Sequence, residues 1–351
     1  MDDTHDVPYT KYFKMADISE KENIMKKIYG NTYLLGTLDN MRKNNRLAQS
    51  GIFYGEKGSG KKLFADYYTS LLLCEAPDGD APCGKCTACR TVDSHSHPDV
   101  TYVPTEGKLE GYTVKIARAV SSDVCIKPNN NTAKKVYIFR DCKNMNVQAQ
   151  NALLKLIEEP PEYACFIFTA DSKSEFLPTI ISRCVCFGVS SCTEEEARHS
   201  LIESGFGADE TAAAIKCFHG NIGRCTSYIV DENLKNQVDL TKRIANSIIR
   251  KDEYELNAAF FTVGSGRNDI HSILSMIDKL ARDAAVLSRD ADAPVIGCYR
   301  EAAVRLSTMI TAYQAVNIHN AVERGCRAID ANVNSSLVLA GVCAEIMEIM
   351  A

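Results

Sequence analysis

Between residues 50 and 190, short continuous apolar runs alternate with longer amphipathic stretches. The runs Gly51 to Tyr54, Val136 to Phe139 and Cys165 to Phe168 have the length and branching of buried strands. The stretches Lys61 to Leu73 and Ala149 to Ile157 carry the three-and-four spacing of helices. Strands alternating with helices predict an α/β domain whose parallel sheet is covered on both faces. Beyond about residue 190 the strand pattern stops, and short helical segments follow at Thr193 to Glu203 and Asp209 to Cys217. From about residue 233 the helical pattern lengthens. Ile270, Ile273, Leu274, Ile277, Leu280, Ala281, Ala284 and Leu287 fall on one helix face, with similar spacing over 302–316 and 337–350. These stripes predict the internal core of an all-α domain.

The chain has 351 residues, 45% of them hydrophobic and 24% charged, which suits two or three globular domains. Its 40 basic and 45 acidic side chains give a net charge of −5, so no overall basic field draws it onto nucleic acid. The first residues lack the basic and apolar regions of an export signal, and no apolar run is long enough to span a membrane. A cytoplasmic protein is expected. The 15 cysteines, odd in number, do not suggest a disulfide framework, and Cys165, Cys184, Cys217 and Cys343 read as small core residues.

Gly55, Gly58, Gly60 and Lys61 lie between a strand and a helix in the spacing G-x-x-x-x-G-K of a phosphate-binding loop. Such loops turn backbone N–H groups toward an anion at a helix N-terminus, and the lysine reaches the outer phosphates. The next residue should be Ser or Thr, whose hydroxyl ligates Mg²⁺, but it is Lys62. The strand that should end in Asp and Glu ends in Asp141 and Cys142, and a thiol is a poor base for orienting water. Hydrolysis is not expected, whereas ATP or ADP binding and a vestigial turn both stay open.

Cys74, Cys83, Cys86 and Cys89 are spaced C-x8-C-x2-C-x2-C in a segment rich in Gly, Pro and Asp. Four thiolates close a tetrahedral zinc site with no open position. Four cysteines also hold iron–sulfur clusters, but nothing else in the chain is redox-active in type, so structural zinc is expected. His95 and His97 lie just behind and read as turn residues rather than ligands.

Together with His97-Pro98-Asp99-Val100, the run from Asn151 to Pro161 and Ser182-Arg183-Cys184, these features resemble the delta-prime subunits of the bacterial DNA polymerase III clamp loader, within the AAA+ superfamily. The resemblance is strong from about Gly51 to Arg224 and weaker beyond. It implies three domains: a nucleotide-binding-like sheet domain over 1–190 with a zinc module at about 74–100, a helical lid over 191–232, and a helical collar over 233–351 that assembles with gamma/tau and delta subunits. It further implies that Arg183 is an arginine finger reaching a neighbour's ATP, that Arg224 falls at the lid's sensor position, and that the helix from Gln148 to Glu159 faces primer–template DNA. The implied function is that of a subunit without ATPase activity of its own, helping to place the sliding clamp on primed DNA. Two competing readings are an active gamma/tau-like motor, from which Lys62 and Cys142 depart, and a stand-alone zinc-dependent nucleic-acid-binding protein, which the acidic balance disfavours.

Overall fold

The computed structural model describes residues 28–79, 81–107, 111–264 and 266–351. The leader reading of the first residues lies outside them. The chain divides into two compact units, Met1–Ser200 and Leu201–Ala351.

The first unit holds β1 (Ser50–Tyr54), β2 (Val100–Tyr102), β3 (Lys135–Phe139), β4 (Ala164–Ala170) and β5 (Val185–Gly188), in the order β2-β3-β4-β1-β5. Every pairing is parallel. Side chains alternate across the sheet as the pleat requires. Ile52, Tyr137, Phe139, Phe166 and Phe168 share one core with α4 (Val114–Asp123) and α5 (Val147–Glu158). Phe53, Val136, Ile138, Cys165 and Ile167 share the other with α1 (Thr32–Lys43), α2 (Lys61–Leu73) and α3 (Thr87–Asp93). Continuous apolar runs are therefore what this sheet needs, since both faces of its central strands are buried. Local chemistry sets the helix starts: Thr113 caps α4 and Asn146 caps α5 by accepting from N–H groups of the first turn. The α5 helix stops just before Pro160 and Pro161, and the short α6 (Pro178–Ile181) starts on a proline.

Helix α7 (Glu194–Glu203) carries the boundary between the units. Its start is fixed by Thr193 and Glu196, which exchange hydrogen bonds. The second unit is helical throughout its described residues: α8 (Ala208–Phe218), α9 (Ile222–Val230), α10 (Glu232–Arg250), α11 (Glu253–Phe261), α12 (Arg267–Leu287), α13 (Arg300–Ser307), α14 (Ala312–Asp330) and α15 (Ser335–Met350). The stripe from Ile270 to Leu287 is buried along α12, and residues of α10, α11, α13, α14 and α15 close around it. The stripe over 302–316 is not one helix. Thr308 to Thr311 interrupt it, because Thr311 and Gln314 form a capping box that starts α14 afresh. Among the described residues, no helix is long and apolar enough to cross a membrane.

Candidate functional site

The phosphate-loop residues predicted for the first unit lie at the C-terminal ends of the parallel strands, the edge where open α/β sheets take ligands. The loop 55–60 leaves β1 and enters α2. A Cβ on Gly55 would stand 2.0 Å from the Val189 carbonyl oxygen, so no other residue fits there. Gly60 adopts a left-handed φ of 95° at the helix start, and no side chain caps α2.

Lys61 is buried, and its ammonium donates to the carbonyls of Gly55 (2.7 Å) and Glu56 (3.1 Å) and to Asp171 Oδ1 (2.6 Å). Asp171 follows β4 and is absent from the sequence reading, since 110 positions separate it from its partner. Lys62, in the place of the metal-ligating hydroxyl, stands 2.5 Å from Asp141 Oδ2. Asp141 has a left-handed φ of 53°, and its backbone N–H donates to Thr169 Oγ1 at 2.9 Å. Cys142 turns away from this edge into the core, where burial pushes its thiol well up. It cannot orient water for an outer phosphate.

Beside the loop lies a polar cluster that the sequence does not announce. Asp66, buried on α2, receives Arg140 Nη2 on both oxygens at 3.2 Å and the Tyr102 hydroxyl at 3.0 Å, and His95 Nε2 lies 3.2 Å away. The Arg140 guanidinium also covers the Tyr102 ring at 4.3 Å. His95 is thus more than a turn residue: it joins the segment behind the four cysteines to the residue preceding Asp141.

The Sγ atoms of Cys74, Cys83, Cys86 and Cys89 all lie within 4.8 Å of one another, the metal-binding type of cluster found among the described residues. Zn–S bonds of about 2.3 Å put tetrahedral sulfurs ~3.8 Å apart, so the set fits zinc with little closure. Backbone N–H groups already point at the sulfurs: Cys83 N–H to Cys74 (3.3 Å), Lys85 and Cys86 N–H to Cys83 (3.4 and 3.3 Å), and Cys89 N–H to Cys86 (3.4 Å). At Cys83, burial raises the thiol pKa but the donors outweigh it, leaving about 7; burial pushes Cys74 and Cys89 up. Four thiolates here need a cation to hold them. Neither His95 nor His97 belongs to the group; the His97 Nδ1 accepts from the Asp99 N–H at 3.1 Å.

Arg183 lies at the other edge of the sheet, just before β5. It pairs with Glu158 at 2.7 Å and donates to the Thr179 carbonyl at 3.1 Å, with its side chain 35% exposed. Because β5 runs beside β1 with Gly51 opposite Val185 and Tyr54 opposite Gly188, the strands put ~20 Å between Arg183 and the loop. Arg224 belongs to the second unit. It starts α9, where Asn221 accepts its backbone N–H, and its guanidinium lies 4.8 Å from the Phe218 ring centroid.

A family model described as DNA polymerase III, delta subunit, matches residues 30–193. The chain is 35% identical to DNA polymerase III subunit delta' of Haemophilus influenzae over 170 residues, which is 48% of this chain and 50% of that protein. It is 33% identical to subunit delta' of Pseudomonas aeruginosa over 138 residues, 39% of this chain and 42% of that protein. Subunit tau of Bacillus subtilis is 30% identical over 168 residues, 48% of this chain and 29% of that protein. The chain therefore spans half or less of the length of these curated relatives. A solved gamma subunit-related protein from Thermotoga maritima aligns over 91% of this chain and 100% of its own, at 17% identity and a TM-score of 0.43. Over residues 30–193, a little under half of its length, the chain is thus similar to DNA polymerase III clamp-loader subunits, those named delta' among them.

Proposed function

We propose that the chain is a cytoplasmic, non-hydrolysing clamp-loader subunit of the delta-prime kind, working in trans within DNA polymerase III. In this reading it assembles with gamma/tau and delta subunits, helps place the sliding clamp on primer–template DNA, and offers Arg183 to a nucleotide held by a neighbour. The observation that carries the reading is the position of Arg183. At ~20 Å from its own loop no side chain spans the gap, so any phosphate that this partly exposed guanidinium serves belongs to another subunit. Lys62 and the buried Cys142 support the same reading, since each removes a separate part of a hydrolytic site. We assign 191–232, which begins just before α7, to a lid and 233–351 to a collar. Arg224 then has a structural role beside Phe218. The four cysteines hold zinc as a structural ion. The relatives named delta' are consistent with this reading.

The competing reading, a tau-like motor, draws on the match to subunit tau and on the retained Lys61. The discriminating measurement is Mg²⁺-dependent ATP turnover by the purified chain, with and without primed DNA, beside a Lys61→Ala control. No turnover is expected. Turnover that disappears in Lys61→Ala would make this chain a motor. For the metal, elemental analysis should find about one zinc per chain, and none in a Cys86→Ser, Cys89→Ser double variant. Iron in its place would assign the cysteines to a cluster instead.

A further inference from the structure

In phosphate-loop proteins Mg²⁺ sits between the hydroxyl that follows the loop lysine, an aspartate at the end of a neighbouring strand, and the outer phosphates. The residues of this chain do not fit that ion. The hydroxyl is replaced by Lys62, and its ammonium stands 2.5 Å from Asp141 Oδ2. A divalent cation approaching Asp141 would meet a positive charge already in contact with it.

The remainder of the cradle is kept. Gly55 and Gly60 hold the loop in shape, and α2 starts without a side-chain cap. Lys61 is fixed beneath the loop by two carbonyls and Asp171. Ser59 Oγ lies inside the loop, 3.2 Å from where a Gly55 Cβ would stand, buried and with no hydrogen-bond partner. A buried hydroxyl left unpaired is costly, and a phosphate oxygen would satisfy it. Asp141 is set in place by its left-handed backbone and by Thr169. An ammonium carries three donors and no acceptor, so Lys62 can keep Asp141 and still donate to phosphate oxygens.

We propose that Lys62 is a built-in cation in the place of Mg²⁺, and that the loop takes a nucleoside polyphosphate in its metal-free form. This deepens the proposed function and rests on its reading of residues 55–61 as a phosphate loop. Lys62 supplies one positive charge where the ion supplies two and offers no coordination site for water. The loop therefore binds the polyphosphate without the means to hydrolyse it.

The test is calorimetric titration of the full chain with ATPγS, in excess Mg²⁺ and in EDTA. The wild type should bind at least as tightly in EDTA as in Mg²⁺, because the metal withdraws the free ligand. Lys61→Ala should abolish binding. Lys62→Thr should make binding Mg²⁺-dependent by about tenfold or more, whereas Lys62→Arg, which keeps the charge, should stay metal-independent. Wild-type binding strengthened by Mg²⁺ would overturn the proposal, and so would no binding in either buffer or a metal requirement in Lys62→Arg. Should Lys62→Thr not fold, the wild type and Lys62→Arg decide the matter. Absence of binding would leave the non-hydrolysing role intact. Turnover of ATP in a parallel assay would instead overturn that role.

Discussion

The two edges of the parallel sheet have gone different ways. At the C-terminal ends of the strands, the two lysines that open α2 each face a carboxylate: Lys61 meets Asp171 and Lys62 meets Asp141. At the N-terminal ends, Lys135 and Asp123 make a third pair, and, before β5, Arg183 leans on Glu158. The same chemistry serves different ends. Lys135 is buried and also donates to the carbonyls of Asp123 and Ile126, so it staples α4 to β3. The Lys62–Asp141 and Arg183–Glu158 pairs are more exposed, and exposed pairs contribute little to stability. What separates the Lys135 pair from these is burial, not the residue types.

This contrast can be broken most decisively at Arg183. In a reconstituted assembly with motor subunits, Arg183→Ala should lower DNA-stimulated ATP turnover by on the order of 10³-fold. The variant's own stability should move by less than about 0.5 kcal/mol. Unchanged turnover would return Arg183 to the ordinary surface.

A smaller effect is expected beside the loop, at the cluster around Asp66. Replacing this carboxylate by Ala strands the Arg140 guanidinium and should destabilise the sheet unit by about 3 kcal/mol, as when one partner of a buried ion pair is removed. Urea unfolding of the full chain measures this. A loss below about 1 kcal/mol would show that the cluster is not what holds β2 and β3 against α2.

The smallest effect sharpens the staple itself. The Lys135 hydrogen bond holds the Asp123 carboxyl below its ordinary 3.8, against burial that raises it, with help from the Tyr137 hydroxyl. The pair's contribution is therefore complete above about pH 4 and is lost as the pH falls through the lowered value. Asp123→Asn should cost under about 1 kcal/mol at pH 7 and nothing once the wild-type carboxyl is protonated. A stability difference that persists in acid would assign the staple to the backbone carbonyls on Lys135.

How much of this was legible in the sequence depends on sequence distance. Strands β1, β3 and β4 announce themselves because both their faces are buried, whereas β2 is three residues long and β5 begins with an exposed Val185. The four cysteines and the loop glycines are readable from spacing, because their partners lie within a few positions. The partners Asp171 and Thr169 are not, since the fold alone brings them to the end of β1 and β3. The Asp66 cluster is harder still. It is drawn from α2, from the segment after α3, from β2 and from the end of β3, and no sequence pattern links them.

The spacing between the two edges also bears on how such a subunit changes over time. Substitutions that far apart with no shared partner act additively. In the proposed reading, substitutions at Lys62 or Cys142 therefore leave Arg183 at the other edge undisturbed. A chain of this construction can lose an activity of its own and still be kept for what it does to its neighbours.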